Sequence, residues 1–152
     1  MNRIKYCSLC ILCVLSVTFL LANNISAMTI KKTGYYSTGL STKKTIWHDD
    51  YVKKLVFKKK KIITYGSFYY TKKPIGGGDY LKPKKRTFVI SPKCKYVIIS
   101  NFPENKKYSK RLNKSKAKKL IKQGIKRGNP INYCYLVIKK RKLVRVMMGK
   151  GD

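Results

Sequence analysis

Acidic side chains are almost missing from this chain: Asp49, Asp50, Asp79, Glu104 and Asp152 are the only five in 152 residues. Histidine and tryptophan occur once each, as His48 and Trp47. These shortages remove most catalytic chemistry. Glycoside hydrolysis needs two carboxyl groups facing each other across a cleft, whereas Asp49 and Asp50 are neighbours that point apart in an extended segment. A two-histidine acid–base pair cannot be assembled from one histidine. Metal sites draw several ligands from His, Cys, Asp and Glu, and His48 with Asp49 and Asp50 reads better as solvated loop groups. No local motif supports a Cys94–His48 nucleophile pair. The inventory points away from an enzyme and from any cofactor or metal.

Against five acids stand 37 Lys and Arg, a formal net charge of +32. Solubility is served by a net charge of roughly 2–8 in a small domain. The excess therefore speaks to partners and not to fold. An anionic polymer (teichoic-type wall polymer, acidic glycan or nucleic acid) or an anionic membrane surface is the expected partner. Oligomeric state is not readable from the sequence.

Residues 1–27 have the make-up of a secretory signal peptide. Arg3 and Lys5 precede an apolar run from Cys10 to Ala22, and Ile25-Ser26-Ala27 ends on a small residue suited to cleavage. The competing reading is an N-terminal membrane anchor, since an uncharged run from Tyr6 to Ala22 sits at the short end of the spanning range of about 17–25 residues. Cleavage would take Cys7, Cys10 and Cys13 away and leave Cys94 and Cys134. In an exported chain that pair could form a disulfide, or both could be small buried core residues. The expected product is secreted or held at the cell envelope, with an irregular arm over residues 28–50, one domain over 51–148 and a short tail over 149–152.

Within the domain one pattern occurs twice. Leu55-Val56-Phe57-Lys58-Lys59-Lys60-Lys61-Ile62-Ile63 is echoed by Leu136-Val137-Ile138-Lys139-Lys140-Arg141-Lys142-Leu143-Val144. Each copy predicts a β-hairpin with four cations at its tip. After the first tip, Ile62, Thr64, Gly66, Phe68 and Tyr70 alternate with Ile63, Tyr65, Ser67, Tyr69 and Thr71, and Gly66 would permit a bend or bulge. Lys72 to Arg86, with Pro74, three glycines and Pro83, reads as a long connector. A third strand region runs from Thr87 to Ile99, broken near Ser91-Pro92-Lys93.

Ala117, Leu120, Ile121, Gly124 and Ile125 then form the stripe of an amphipathic helix. Asn113 or Ser115 can cap it, and Gly128 with Pro130 can stop it. Its other face carries Lys114, Lys116, Lys118, Lys119, Lys122 and Lys126. The order β-β-β-α-β-β is that of a mainly β, OB-like five-stranded, partly open barrel with a helix between strands three and four. A non-OB α+β roll shares that order.

The run Ile63 to Tyr70, the segments Thr87 to Ser91 and Lys95-Tyr96, the helix, and the closing Leu143-Val144-Arg145-Val146 together resemble small basic exported proteins of Gram-positive bacteria, of the lactobacillus type. The resemblance is one of layout over roughly residues 52–147. It implies a small, exported, β-rich protein and implies no activity. On the residues themselves, binding is the expectation: Lys58, Lys59, Lys60, Lys61, Lys139, Lys140, Arg141 and Lys142 as polyanion contacts, with Tyr65, Tyr69 and Tyr70 as stacking rings. Tyr is also a favoured sheet residue, and lysine runs also protect strand edges. A membrane-active, bacteriocin-like effector and an extracellular single-stranded nucleic-acid binder are the alternatives to an envelope-polymer binder.

Overall fold

The computed structural model describes residues 27–42, 49–74, 78–100, 109–127 and 131–149. The strands are β1 (Met28–Thr29), β2 (Gly34–Gly39), β3 (Val52–Phe57), β4 (Lys61–Thr71), β5 (Asp79–Ile98), β6 (Lys110–Leu112), β7 (Tyr133–Lys139) and β8 (Lys142–Gly149). Among the described residues one helix, α1 (Lys114–Arg127), is present and precedes β7. Residues 1–26 of the signal segment, Trp47, His48, and the helix stop at Gly128 and Pro130 lie outside the described residues.

Five strands close a ring. β4 pairs with β5, β5 with β8, β8 with β7, β7 with β2, and β2 returns to β4. Every step is antiparallel except β5–β8, which is parallel. This is the OB-like arrangement, with α1 falling between its third and fourth strands. β3 lies along the first half of β4, with Phe57 opposite Ile62, while β2 lies along the second half, with Tyr35 opposite Thr71. β2 and β3 are thus one long barrel strand interrupted by residues 40–51.

That interruption explains one departure from expectation. The stretch 28–50, read as an irregular arm with at most a short strand, supplies the strand that closes the barrel. Its alternation is hidden because an inward position holds Thr38, fully buried, whose hydroxyl donates to the Ser67 carbonyl at 2.9 Å. The returning chain is pinned at Ser67: its N–H donates to the Tyr51 carbonyl at 2.9 Å, and its hydroxyl accepts from the Tyr51 N–H at 3.0 Å. Tyr51 and Val52 backbone press so closely on Gly66 that any Cβ there would collide with the Tyr51 carbonyl. The β4–β5 register shifts beside it, between Gly66 and Phe68.

β5 is longer than its apolar signal. It begins at Asp79, so residues 79–86 of the expected connector are strand. Pro83 is tolerated because Leu81 pairs with Phe68 and Lys84 with Gly66, leaving Lys82 and Pro83 in the bulge. The expected break at Ser91-Pro92-Lys93 is a second irregularity, a register shift against β8 between Ile90 and Lys95.

Ile62, Phe68, Phe88, Leu136, Ile138, Leu143, Val146 and Met148 are completely buried in the barrel. Full burial of one such side chain contributes about 1.5–3 kcal/mol. Asn113 caps α1, its Oδ1 accepting from the Lys116 N–H at 2.8 Å. Ala117, Ile121 and Gly124 form the buried stripe, and Gly124 packs on Leu40 and Ile131. The helix therefore covers the barrel end where β2 finishes.

Candidate functional site

The two cationic echoes form two different turns. In the first, the Lys58 N–H donates to the Lys61 carbonyl at 2.8 Å, closing the β3–β4 tip. Lys114, at the start of α1, donates its Nζ to the Lys58 and Lys59 carbonyls, each at 2.9 Å. The Ile90 N–H donates to the Lys60 carbonyl at 2.9 Å. The second tip is a two-residue turn between the paired Lys139 and Lys142, with positive φ at Lys140 (47°) and Arg141 (62°). Right-handed strand twist favours such a turn, although its residues are usually Asn or Gly.

These tips approach the same point from opposite sides. Lys61 pairs with Val89 on β5, and Leu143 pairs with Ile90 on that strand's other edge. Lys142 thus lies beside Val89, two strand spacings or about 10 Å from Lys61. Both lysines are exposed. In an OB barrel these turns are the loops that border the ligand face on the second and third strands, here β4 and β5.

That face carries a row of Lys54, Tyr65 and Lys85, placed side by side across β3, β4 and β5. Tyr65 is 37% exposed, and the Lys85 ammonium lies 5.8 Å from its ring centroid. Further along, Tyr69 and Tyr80 pair with ring centroids 5.5 Å apart, and Tyr80 is 42% exposed. Lys54, Lys85 and Tyr80 were not anticipated, because cross-strand neighbours depend on register. The strand pattern from Asp79 to Arg86 was the missing signal.

Tyr70 does not belong to this face. It is 4% exposed, its ring packs 5.1 Å from Tyr36, and its hydroxyl donates to the Thr33 carbonyl at 2.9 Å. Its position in the alternation, shared with Ile62 and Phe68, already marked it as inward. Of the two alternatives for the cysteine pair, the disulfide is absent: Cys94 and Cys134 are free thiols. Cys134 pairs with Met148, and Met148 with Ile98, so β8 separates the two cysteines' strands. Two strand spacings, about 10 Å, exceed the Cα separation of about 4.4–6.8 Å that a disulfide spans. Burial raises both thiols, Cys94 to about 11 and Cys134 to about 12.

Asp50, expected as a solvated loop group, serves the scaffold instead. Asp50 is buried, and its Oδ2 accepts from the Gly39 N–H at 3.2 Å and the Tyr133 hydroxyl at 2.8 Å. Burial, then the Asp50 charge, raises the Tyr133 pKa well above the usual phenol range. Among the described residues, no three His, Cys, Asp or Glu side chains are grouped to hold a metal.

Fold and surface together define a cationic OB-like barrel with two basic turns flanking an aromatic, lysine-lined face. Comparison with protein-family models, curated proteins and solved structures gives no match.

Proposed function

We propose that the protein binds a linear, phosphate-bearing polyanion across the outer face of β4 and β5, between its two cationic turns. The observation that carries this reading is the approach of Lys61 and Lys142 to the two edges of β5 at Val89–Ile90. Four residues further along β4, about 13 Å from that point, Tyr65 lies between two lysines. Rings in a basic groove contribute about 1–3 kcal/mol per stacked base, and they hold sugar rings by the same flat surface. Lys114, Lys118 and Lys122 extend the positive strip from the first turn along α1.

The partner favoured by composition and the N-terminal segment is an anionic polymer of the cell envelope. β1 begins at Met28, so cleavage after Ala27 leaves that strand whole. Among the described residues, no helix is long and apolar enough to cross a membrane. N-terminal sequencing of the exported protein should begin at Met28. A retained leader would instead favour the membrane-anchor alternative.

The decisive experiment measures affinity for purified teichoic-type polymer and for single-stranded DNA against salt. Each contacted phosphate should steepen the log–log dependence by about 0.7 on a single strand. Salt-independent retention of both polymers overturns the proposal. Stronger binding of DNA at every salt concentration transfers it to extracellular nucleic acid. Leakage from anionic vesicles without polymer binding would favour a membrane-active effector.

A further inference from the structure

At the barrel end away from α1, where β2 starts, a cleft of about 610 Å³ opens between β1 and the first half of β5. Its volume falls within the range of about 300–1,000 Å³ usual for small-ligand sites. It meets the aromatic face only at Tyr80, and its chemistry is two-sided. Met28, Ile30 and Leu81 give it an aliphatic wall, while Lys31, Lys82 and Lys84 stand on its rim.

Arg86 is the group that the fold alone does not explain. It is 4% exposed and pairs across the sheet with the inward Thr64. Its guanidinium donates to the carbonyls of Gly66 at 2.6 Å, Lys82 at 2.6 Å and Lys84 at 3.4 Å. Those bonds use three of the five donors that a guanidinium carries. No carboxylate lines the cleft around it; its guanidinium lies 5.5 Å from the Phe68 ring centroid, and the Tyr36 and Tyr80 hydroxyls stand near it. Burying a cation without a counter-charge is strongly unfavourable, and carbonyl dipoles leave its full charge in place.

The surrounding hydroxyls are committed elsewhere. Tyr36 donates to the Lys32 carbonyl at 3.0 Å, and Tyr70 to the Thr33 carbonyl. The Lys32 ammonium stands 3.9 Å from the Tyr70 ring centroid, so that ring face is already covered. No Asn, Gln, Asp or Glu lines the cleft. A nucleobase would find no side-chain amide or carboxyl group for its edge and only the part-exposed Tyr80 ring at the margin to stack on, and an inorganic anion would leave the aliphatic wall unused.

We infer that this cleft binds one amphiphilic anion, with a phosphate or carboxylate head at Arg86 and the rim lysines and a short alkyl tail against Met28, Ile30 and Leu81. The planar guanidinium fork suits either head. The inference does not rest on polymer binding at the outer face.

The test is a chain-length series: butyl, hexyl, octyl and decyl phosphates, with the matching carboxylates, titrated calorimetrically below their micelle concentrations. Salt at 0.5 M suppresses association with the exposed lysines. One equivalent should bind, tightening about fourfold per added methylene, then levelling once the cleft is filled. The ratio between the two series identifies the preferred head. Met28 is 60% exposed, so Met28→Trp should leave the fold intact, narrow the mouth and weaken octyl phosphate tenfold or more. Arg86→Lys should weaken the head interaction while keeping the chain-length dependence.

Several results overturn the inference: affinity rising without a plateau at several equivalents, inorganic phosphate binding as tightly as octyl phosphate, or Met28→Trp changing nothing. Replacing Lys58–Lys61 by serine should leave this binding untouched while weakening polymer binding, which separates failure of this site from failure of the face.

Discussion

Two stretches with nearly the same residues, Lys58–Lys61 and Lys139–Lys142, end in different turns. The first is held from outside, by two hydrogen bonds from Lys114 and one from Ile90. The second is held from inside, by left-handed backbone at Lys140 and Arg141. The difference follows from their neighbours. β3 is an edge strand, with β4 on one side and α1 packed nearby, so its turn needs a tether. β7 and β8 each have a barrel partner on both sides, so their ladder fixes a short turn whatever residues fill it. A repeated pattern therefore encodes the strands and their charge, while surrounding structure decides the loop.

If the two turns share one electrostatic task, removing the charges of either should weaken polymer binding comparably. Serine at Lys58–Lys61, or Ser-Asn-Gly-Ser at residues 139–142, removes four cations. With four phosphates contacted, the salt slope should fall by about 3, and affinity at low salt by a hundredfold or more. A set that leaves the slope unchanged would show that the polymer crosses only the other turn. Tyr65→Ala should add a smaller loss of about 1–3 kcal/mol, largely independent of salt.

The next largest contrast is stability. Lys114→Ala removes both bonds to the first turn, and because they are exposed the expected loss is about 1 kcal/mol. Lys142→Ala makes the matched control and should be near neutral. Urea unfolding of the two variants measures this. Equal stabilities would mean that the helix does not anchor the first turn.

Much of this architecture was readable beforehand, and the exceptions have physical causes. The apolar echoes and the helix stripe each bury one continuous face, so their periods survive in the sequence. β2 was missed because Thr38 replaces an apolar residue at an inward position and satisfies its hydroxyl there. The first half of β5 was missed because bulges absorb Pro83 and because it buries Arg86 where an apolar residue would be expected. The echo pointed to the cations of both turns, but their approach to one point on β5 depends on a parallel β5–β8 pairing that no local pattern carries.

Replacing Lys140-Arg141 by Asn-Gly tests the inside-held turn. Both new residues accept positive φ more readily, so stability should rise by about 0.5–1 kcal/mol despite unchanged side-chain packing. The same dipeptide at Lys59-Lys60, where φ is not positive, should give no gain. Equal gains at both positions would show that charge relief and not backbone geometry was responsible.

The smallest effect uses Cys94 as a reporter on the first turn. Burial raises its thiol to about 11, against which Tyr96 and the nearby Lys114 act to lower it. Only the thiolate reacts, so at pH 8 about one molecule in a thousand is competent. Alkylation of the folded protein should accelerate about tenfold per pH unit toward pH 11. Cys134, fully buried with its thiol raised to about 12, should lag behind. Lys114→Ala removes a favourable charge and should slow Cys94 a few-fold while leaving Cys134 unchanged. A change in both cysteines would mean that the barrel had loosened as a whole; a change in neither would place Lys114 too far from the thiol to act on it. A disulfide formed between them without unfolding would contradict the two-strand separation itself.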